Sequence, residues 1–186
     1  MTKKLLHLRE IRELWERTNA LLGYDLLKLC LEGPTSALKG DITRAQPATF
    51  MGSVMALTAH RLQHPEDFEH CIGAAGLSLG VYAALVAADA IAFDECLHLV
   101  DLHARATARL CATLDSGMLT VFTHPSNQHI ELVLYAARRH CFHEYGMDAL
   151  VDVANYLTSS VKVLGGHREV RERSAAVLCS AVQLHS

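Results

Sequence analysis

The stretch AAGLSLGVYAAL, Ala74 to Leu85, contains a glycine–x–serine–x–glycine core, Gly76-Leu77-Ser78-Leu79-Gly80. A serine set between glycines at the entrance to a helix has the makings of a nucleophile. The glycines permit a sharp turn, the turn pushes the hydroxyl outward, and N–H groups at the helix start can stabilise an oxyanion. Leu79, directly after the serine, would supply one such N–H from its backbone. The same five residues also suit a purely structural turn, so their surroundings decide between the two. Other chemistry-bearing side chains are dispersed. Twelve histidines are scattered along the chain, and the densest group, RHCFHEY, sets His140 and His143 around Cys141 with no fourth ligand at metal spacing. A solvated helix face is the expectation there, with no metal and no cofactor. Six cysteines, widely spaced and without a C-x-x-C pair, are expected as free and mostly buried thiols.

The elements that must position Ser78 follow from periodicity and breakers. Leu5 to Leu22 has apolar residues at helical spacing and should form one amphipathic helix ended by Gly23. YDLLKLCLEG gives a short helix that stops at Gly33-Pro34. PTSALKGDITRAQPATF looks like a connection, after which Pro47 should open a long helix, because proline is best tolerated at the first helical position. FEHCIGAAG, Phe68 to Gly76, reads as a buried strand leading into the serine turn. Helices are expected over 81–88 and 94–114. Beyond Asp115 the pattern becomes strand (GMLTVF), helix (SNQHIELVLYAARRHCFHEYG), two strands (LVDVANYL, SVKVLGG) and a last helix from about His167. The division expected is 1–115 for an α/β body carrying the serine and 116–186 for a small α+β subdomain.

Composition narrows the classes. The 186 residues are 51% hydrophobic and 20% charged with a formal charge of −3, which suits a globular chain and gives no electrostatic reason to expect nucleic acid. Cys71 to Ala88 carries no charge, yet three glycines interrupt it and Asp89 closes it, so a membrane span is not expected.

Four segments occur in order: QPATF, AAGLSLGVYAALVAADAIAFDECLHLVDLHARA, SGMLTVF and VANYLTSSVKVLGGH. With LGYDLLKLCLEGP they resemble the malonyl-CoA:acyl carrier protein transacylase family, particularly its mitochondrial members, from about Leu8 to Val170. The resemblance implies an α/β-hydrolase-like large subdomain carrying a ferredoxin-like small one, both partial here. It implies malonyl transfer by a ping-pong route through a serine ester in fatty-acid biosynthesis. The partners would be malonyl-CoA and phosphopantetheinylated acyl carrier protein, and the location mitochondrial. On this resemblance Ser78 is the nucleophile, Leu79 an oxyanion donor, and Gln46 and Asn155 border or support the active site.

Three departures from the family pattern stand out. His103, in LVDLHARAT, occupies the slot of the arginine that pairs with the malonyl carboxylate, while Arg105 lies about 200° away around the helix. His185, in CSAVQLHS, is the candidate for the catalytic histidine. The family's opening Gly-Gln-Gly-Ser-Gln loop is not found in the chain, which leaves a second expectation: a catalytically inactive truncated isoform or fragment of that enzyme. A serine esterase, the other bearer of G-x-S-x-G, would need an acid and a histidine on further βα units. The sequence after Ser78 turns to the small subdomain instead.

Overall fold

The computed structural model describes residues 2–113, 115–122, 130–145 and 150–168. The chain divides into two compact units, Met1–Arg109 and Leu110–Ser186.

Every regular element among the described residues of the first unit is a helix. Helix α2 (Arg9–Leu22) takes most of the stretch expected as one helix from Leu5 to Leu22, and the short α1 (Thr2–Leu5) ends where that stretch begins. Gly23, at φ 74°, ends α2 with its N–H on the Asn19 carbonyl. The Asn19 side chain then binds the Leu26 N–H and the Asp25 carboxylate, which caps α3 (Leu26–Glu32). The expected connection is largely helical: α4 (Thr35–Lys39) is followed by α5 (Ile42–Gln63), which begins five residues before Pro47. Asp41 sets that start, accepting from the Thr43 N–H at 2.9 Å and the Thr43 hydroxyl at 2.5 Å. Pro47 lies inside the helix, buried, where its missing N–H forfeits a single intrahelical bond.

Helix α6 (Pro65–Glu69), with proline at its first position, takes the beginning of the expected strand. Helix α7 (Gly80–Ala87) and α8 (Phe93–Thr113) complete the set. The core is one cluster that includes Ile11, Trp15, Phe50, Met51, Val54 and Leu97. Phe50 stacks on Phe93 with ring centroids 5.9 Å apart, and the Trp15 indole donates to Met55 Sδ at 3.2 Å.

The strand expected over 68–76 is not formed. Residues 71–76 have no regular structure and lie exposed. A strand needs a neighbour's N–H and C=O groups, and no described residue offers them to residues 72–76. Cys96 is buried, Cys30 is half-buried, and Cys71 and Cys111 are exposed. Exposure of the 71–76 segment accounts for Cys71. No helix among the described residues is long and apolar enough to cross a membrane.

The second unit contains β1 (Ser116–Phe122), α9 (Ile130–Tyr145), β2 (Val151–Tyr156) and β3 (Val161–His167). The sheet order is β1-β3-β2, with β3 antiparallel to both neighbours. Two parallel strands joined through a helix with a third strand between them form a split β–α–β arrangement, the ferredoxin-like order. Its core joins Val121, Val151 and Leu164 of the sheet to Ile130, Leu134 and Ala137 of α9. Arg138 fastens the helix to the sheet by donating through both Nε and Nη2 to the Val151 carbonyl. The last expected helix lies outside the described residues.

Candidate active site

Ser78 is one of two non-glycine residues with positive φ among the described residues, at 53°. An L-residue held there stores strain of roughly 1–3 kcal/mol, a cost that structure tolerates mostly at functional sites. The turn around it is tight. Gly80 N–H donates to Leu77 O at 2.9 Å, and Val81 N–H to Ser78 O at 3.0 Å, so α7 starts directly out of the serine. Gly76 is required by this closeness: a Cβ there would lie 2.0 Å from the Gly80 carbonyl oxygen. Gly80 differs, since a Cβ on it would meet nothing within 4 Å. Ser78 itself is exposed.

Leu79 is half-buried, and its side chain packs on the helical core, which anchors the turn. Its backbone N–H has no acceptor among the described residues. A free N–H beside an exposed hydroxyl, at the positive end of a helix, is what stabilisation of an oxyanion requires.

Tyr82 stands four residues beyond Ser78, one turn along. Its ring lies 6.0 Å from the exposed His103 imidazole at 58°, and its carbonyl accepts from the Cys96 thiol at 3.2 Å. Burial pushes that thiol up, so Cys96 stays protonated in the core. The structure thus brings His103 on α8 to the helix that starts at the serine turn. Arg105 is engaged elsewhere, with Nε on Asp101 Oδ2 at 2.7 Å. Tyr82 was missed in the sequence, although its four-residue spacing from Ser78 was the signal that could have found it.

Gln46 lies on α5 with its Oε1 buried and without a hydrogen-bond partner among the described residues. No hydrogen bond joins it to Ser78. Tyr24 Oη and Asp101 Oδ1 share that buried, unpartnered state. Burial, and then the Asp101 charge, push the Tyr24 phenol above its ordinary range. Asn155 belongs to the second unit, half-buried on β2 beside the irregularity between Val153 and Asn155. His185 lies outside the described residues. His140 and His143 are exposed on α9, and no group of three or more His, Cys, Asp or Glu among the described residues could hold a metal ion.

A serine turn at the start of a helix in one unit and a split β–α–β sheet in the other fit a partial α/β fold of the acyltransferase type. The chain is 38% identical over 170 residues to the human mitochondrial malonyl-CoA–acyl carrier protein transacylase, covering 91% of this chain and 43% of that one. To the probable mitochondrial transacylase of Drosophila melanogaster it is 35% identical over 172 residues, covering 92% and 45%. The malonyl-CoA–acyl carrier protein transacylase of Coxiella burnetii superposes with a TM-score of 0.80 at 24% identity, over 97% of this chain and 54% of that one. A malonyl-transacylase solved with its type II polyketide acyl carrier protein gives 0.76 at 23%, over 95% and 53%. These two support the fold alone. No family model matches. The chain is homologous over most of its length to the malonyl-CoA–acyl carrier protein transacylases, and it spans less than half the length of these two mitochondrial relatives.

Proposed function

We propose that this chain carries the nucleophile-bearing part of a mitochondrial malonyl-CoA:acyl carrier protein transacylase acting in fatty-acid biosynthesis. The observation that carries the reading is Ser78 at positive φ, exposed, with the unengaged N–H of Leu79 beside it. Ser78 Oγ attacks the malonyl thioester carbonyl, and its proton passes to a base, for which His185 is the candidate. The Leu79 N–H stabilises the tetrahedral oxyanion. Collapse breaks the carbon–sulfur bond, and coenzyme A leaves as the thiol after taking the proton from that base. The phosphopantetheine thiol of acyl carrier protein then attacks the serine ester, loses its proton to the same base, and restores the serine hydroxyl. Gln46, with its unpartnered Oε1, is proposed to line the acyl site.

His103 carries the substrate question. An imidazole cannot make the bidentate pair that a guanidinium makes with a carboxylate. Arg105, the next cation along α8, is held by Asp101. The chain should therefore discriminate weakly between malonyl and uncharged acyl groups. His103→Arg should raise the preference for malonyl-CoA over acetyl-CoA by roughly 10-fold or more, the size of one charge-assisted hydrogen bond.

The direct test is to incubate the purified chain with malonyl-CoA and measure its intact mass. One malonyl group should be gained on Ser78 and lost on adding phosphopantetheinylated acyl carrier protein. Ser78→Ala should gain nothing. Absence of any Ser78-dependent ester favours the second reading, a non-catalytic member of the family.

A further inference from the structure

Helix α7, which starts out of the Ser78 turn, is lightly held. None of its residues is buried; Tyr82, Ala83 and Val86 rest half-buried on the core. Upstream of the serine, residues 71–76 lie exposed. The far end of α7 is tied more closely. Its last four carbonyls are all satisfied: Ala84 O accepts from the Ala88 N–H at 2.9 Å, Leu85 O from Ala90 N–H at 3.0 Å and Val86 O from Asp89 N–H at 3.2 Å. The fourth, Ala87 O, accepts from a side chain of another helix, the Arg61 guanidinium on α5, through Nη2 at 3.0 Å.

The bonds from residues 89 and 90 make a helix ending that favours glycine at its left-handed position. Asp89 stands there instead, at φ 51°. A side chain is disfavoured at that φ, and a carboxylate is disfavoured again at the negative end of a helix. Arg61 offsets the charge. Its Nη1 lies 3.6 Å from Asp89 Oδ1, and its guanidinium stands over the Phe68 ring of α6, 4.8 Å from the centroid. Arg61 also occupies the last turn of α5, so one cation serves the negative ends of two helices. The exposed ion pair contributes little alone, but a planar fork held between a ring and a carbonyl has few orientations left.

Magnitude decides whether this end can matter to the other. With eight residues, α7 is about 12 Å long. A tilt of about 5° therefore moves one end by roughly 1 Å relative to the other. A misplacement of that size can cost a reaction ~100-fold in rate. We propose that Arg61 is a positioning residue for Ser78. It pins the C-terminal end of α7 to α5 and α6, and so fixes where the serine turn and the Leu79 N–H stand. Its effect on the reaction rests on the acyl-transfer reading; its hold on the turn does not.

The test is hydrogen exchange on the 186-residue chain, read by mass spectrometry at residues 80–82, whose N–H groups close the turn onto Leu77, Ser78 and Leu79. Arg61→Met keeps the length and a contact with Phe68 but removes the donor. Exchange at 80–82 should quicken by about five-fold or more while α2 and α8 keep their rates. Arg61→Lys, which still donates to Ala87 O, should restore much of the protection. With malonyl-CoA at saturation, Arg61→Met should slow acylation of Ser78 by about ten-fold and leave the half-saturating concentration within about two-fold. A wild-type chain that forms no Ser78 ester overturns the acyl-transfer reading, and the exchange rates then decide the role of Arg61 by themselves. Three outcomes overturn the proposal: unchanged exchange at 80–82 in Arg61→Met, quickening spread evenly over α2 and α8 with a lower thermal midpoint, or a wild-type acylation rate for Arg61→Met in a chain that is acylated.

Discussion

β1 and the segment 71–77 are the same length, free of charge, and rich in small or apolar residues, yet they share nothing in their bonding. Along β1, from Ser116 to Phe122, each residue faces a partner on β3, from His167 to Val161. Along 71–77 only the ends touch backbone partners, through the Cys71 N–H and the Leu77 carbonyl. The difference lies in what each kind of element needs. A helix satisfies its own backbone, so α5, α7 and α8 form once their apolar faces meet. A strand satisfies nothing alone and exists only where another strand lies beside it. Ser78 therefore stands at a junction, with its downstream side fixed by a packed helix and its upstream side held by little except the turn.

The largest effects should separate these two sides. Phe50→Ala, in the fully buried core where Phe50 stacks on Phe93, should lower stability by about 3–5 kcal/mol in urea unfolding followed by Trp15 fluorescence. Ile72→Ala should change it by less than about 0.5 kcal/mol. A comparable loss from both would mean that 71–77 is packed in solution and would break the contrast.

Glycine scanning sharpens it. A Cβ on Gly166 of β3 would lie 2.3 Å from the Leu150 carbonyl oxygen, whereas one on Gly73 would meet nothing within 4 Å. Gly166→Ala should destabilise the second unit by roughly 1–3 kcal/mol, seen as faster amide exchange in β2 and β3. Gly73→Ala should be silent. Gly76→Ala tests the junction itself, since the added methyl must displace the Gly80 carbonyl. Ser78 acylation should fall by about 100-fold or more, with little change in thermal midpoint because 71–76 contributes no packing.

Legibility in the sequence follows the same physics. Helices α3, α7, α8 and α9 and the three strands were readable because local periodicity and breakers such as Gly33-Pro34 carry the information. The start of α5 was not, because Pro47 looked like a first residue while the Asp41 cap, six positions earlier, was the real signal. The strand over 68–76 was read from composition, and composition cannot report whether a partner is present. At the site, the turn at Ser78 was legible from the motif. The Tyr82–His103 contact, the unpartnered Gln46 Oε1 and the demand for glycine at 76 but not at 80 depend on three-dimensional approach.

The smallest effect concerns the helix that supports the junction. The Thr43 hydroxyl and backbone N–H groups hold the Asp41 carboxyl below its ordinary 3.8. Asp41→Ala removes the cap and should cost about 1 kcal/mol. Asp41→Asn keeps an N-cap acceptor but not the charge, so its deficit should be smaller and depend on pH. Because the folded-state pKa is depressed, the charged form's advantage is fully present above the unfolded value and is lost as pH falls through the folded one. The wild-type and Asp41→Asn unfolding curves should therefore keep a constant gap from neutral pH down to about pH 5 and converge below about pH 4. A gap that widens on acidification would mean that the carboxylate is not what starts α5, and the downstream side of the junction would then rest on packing alone.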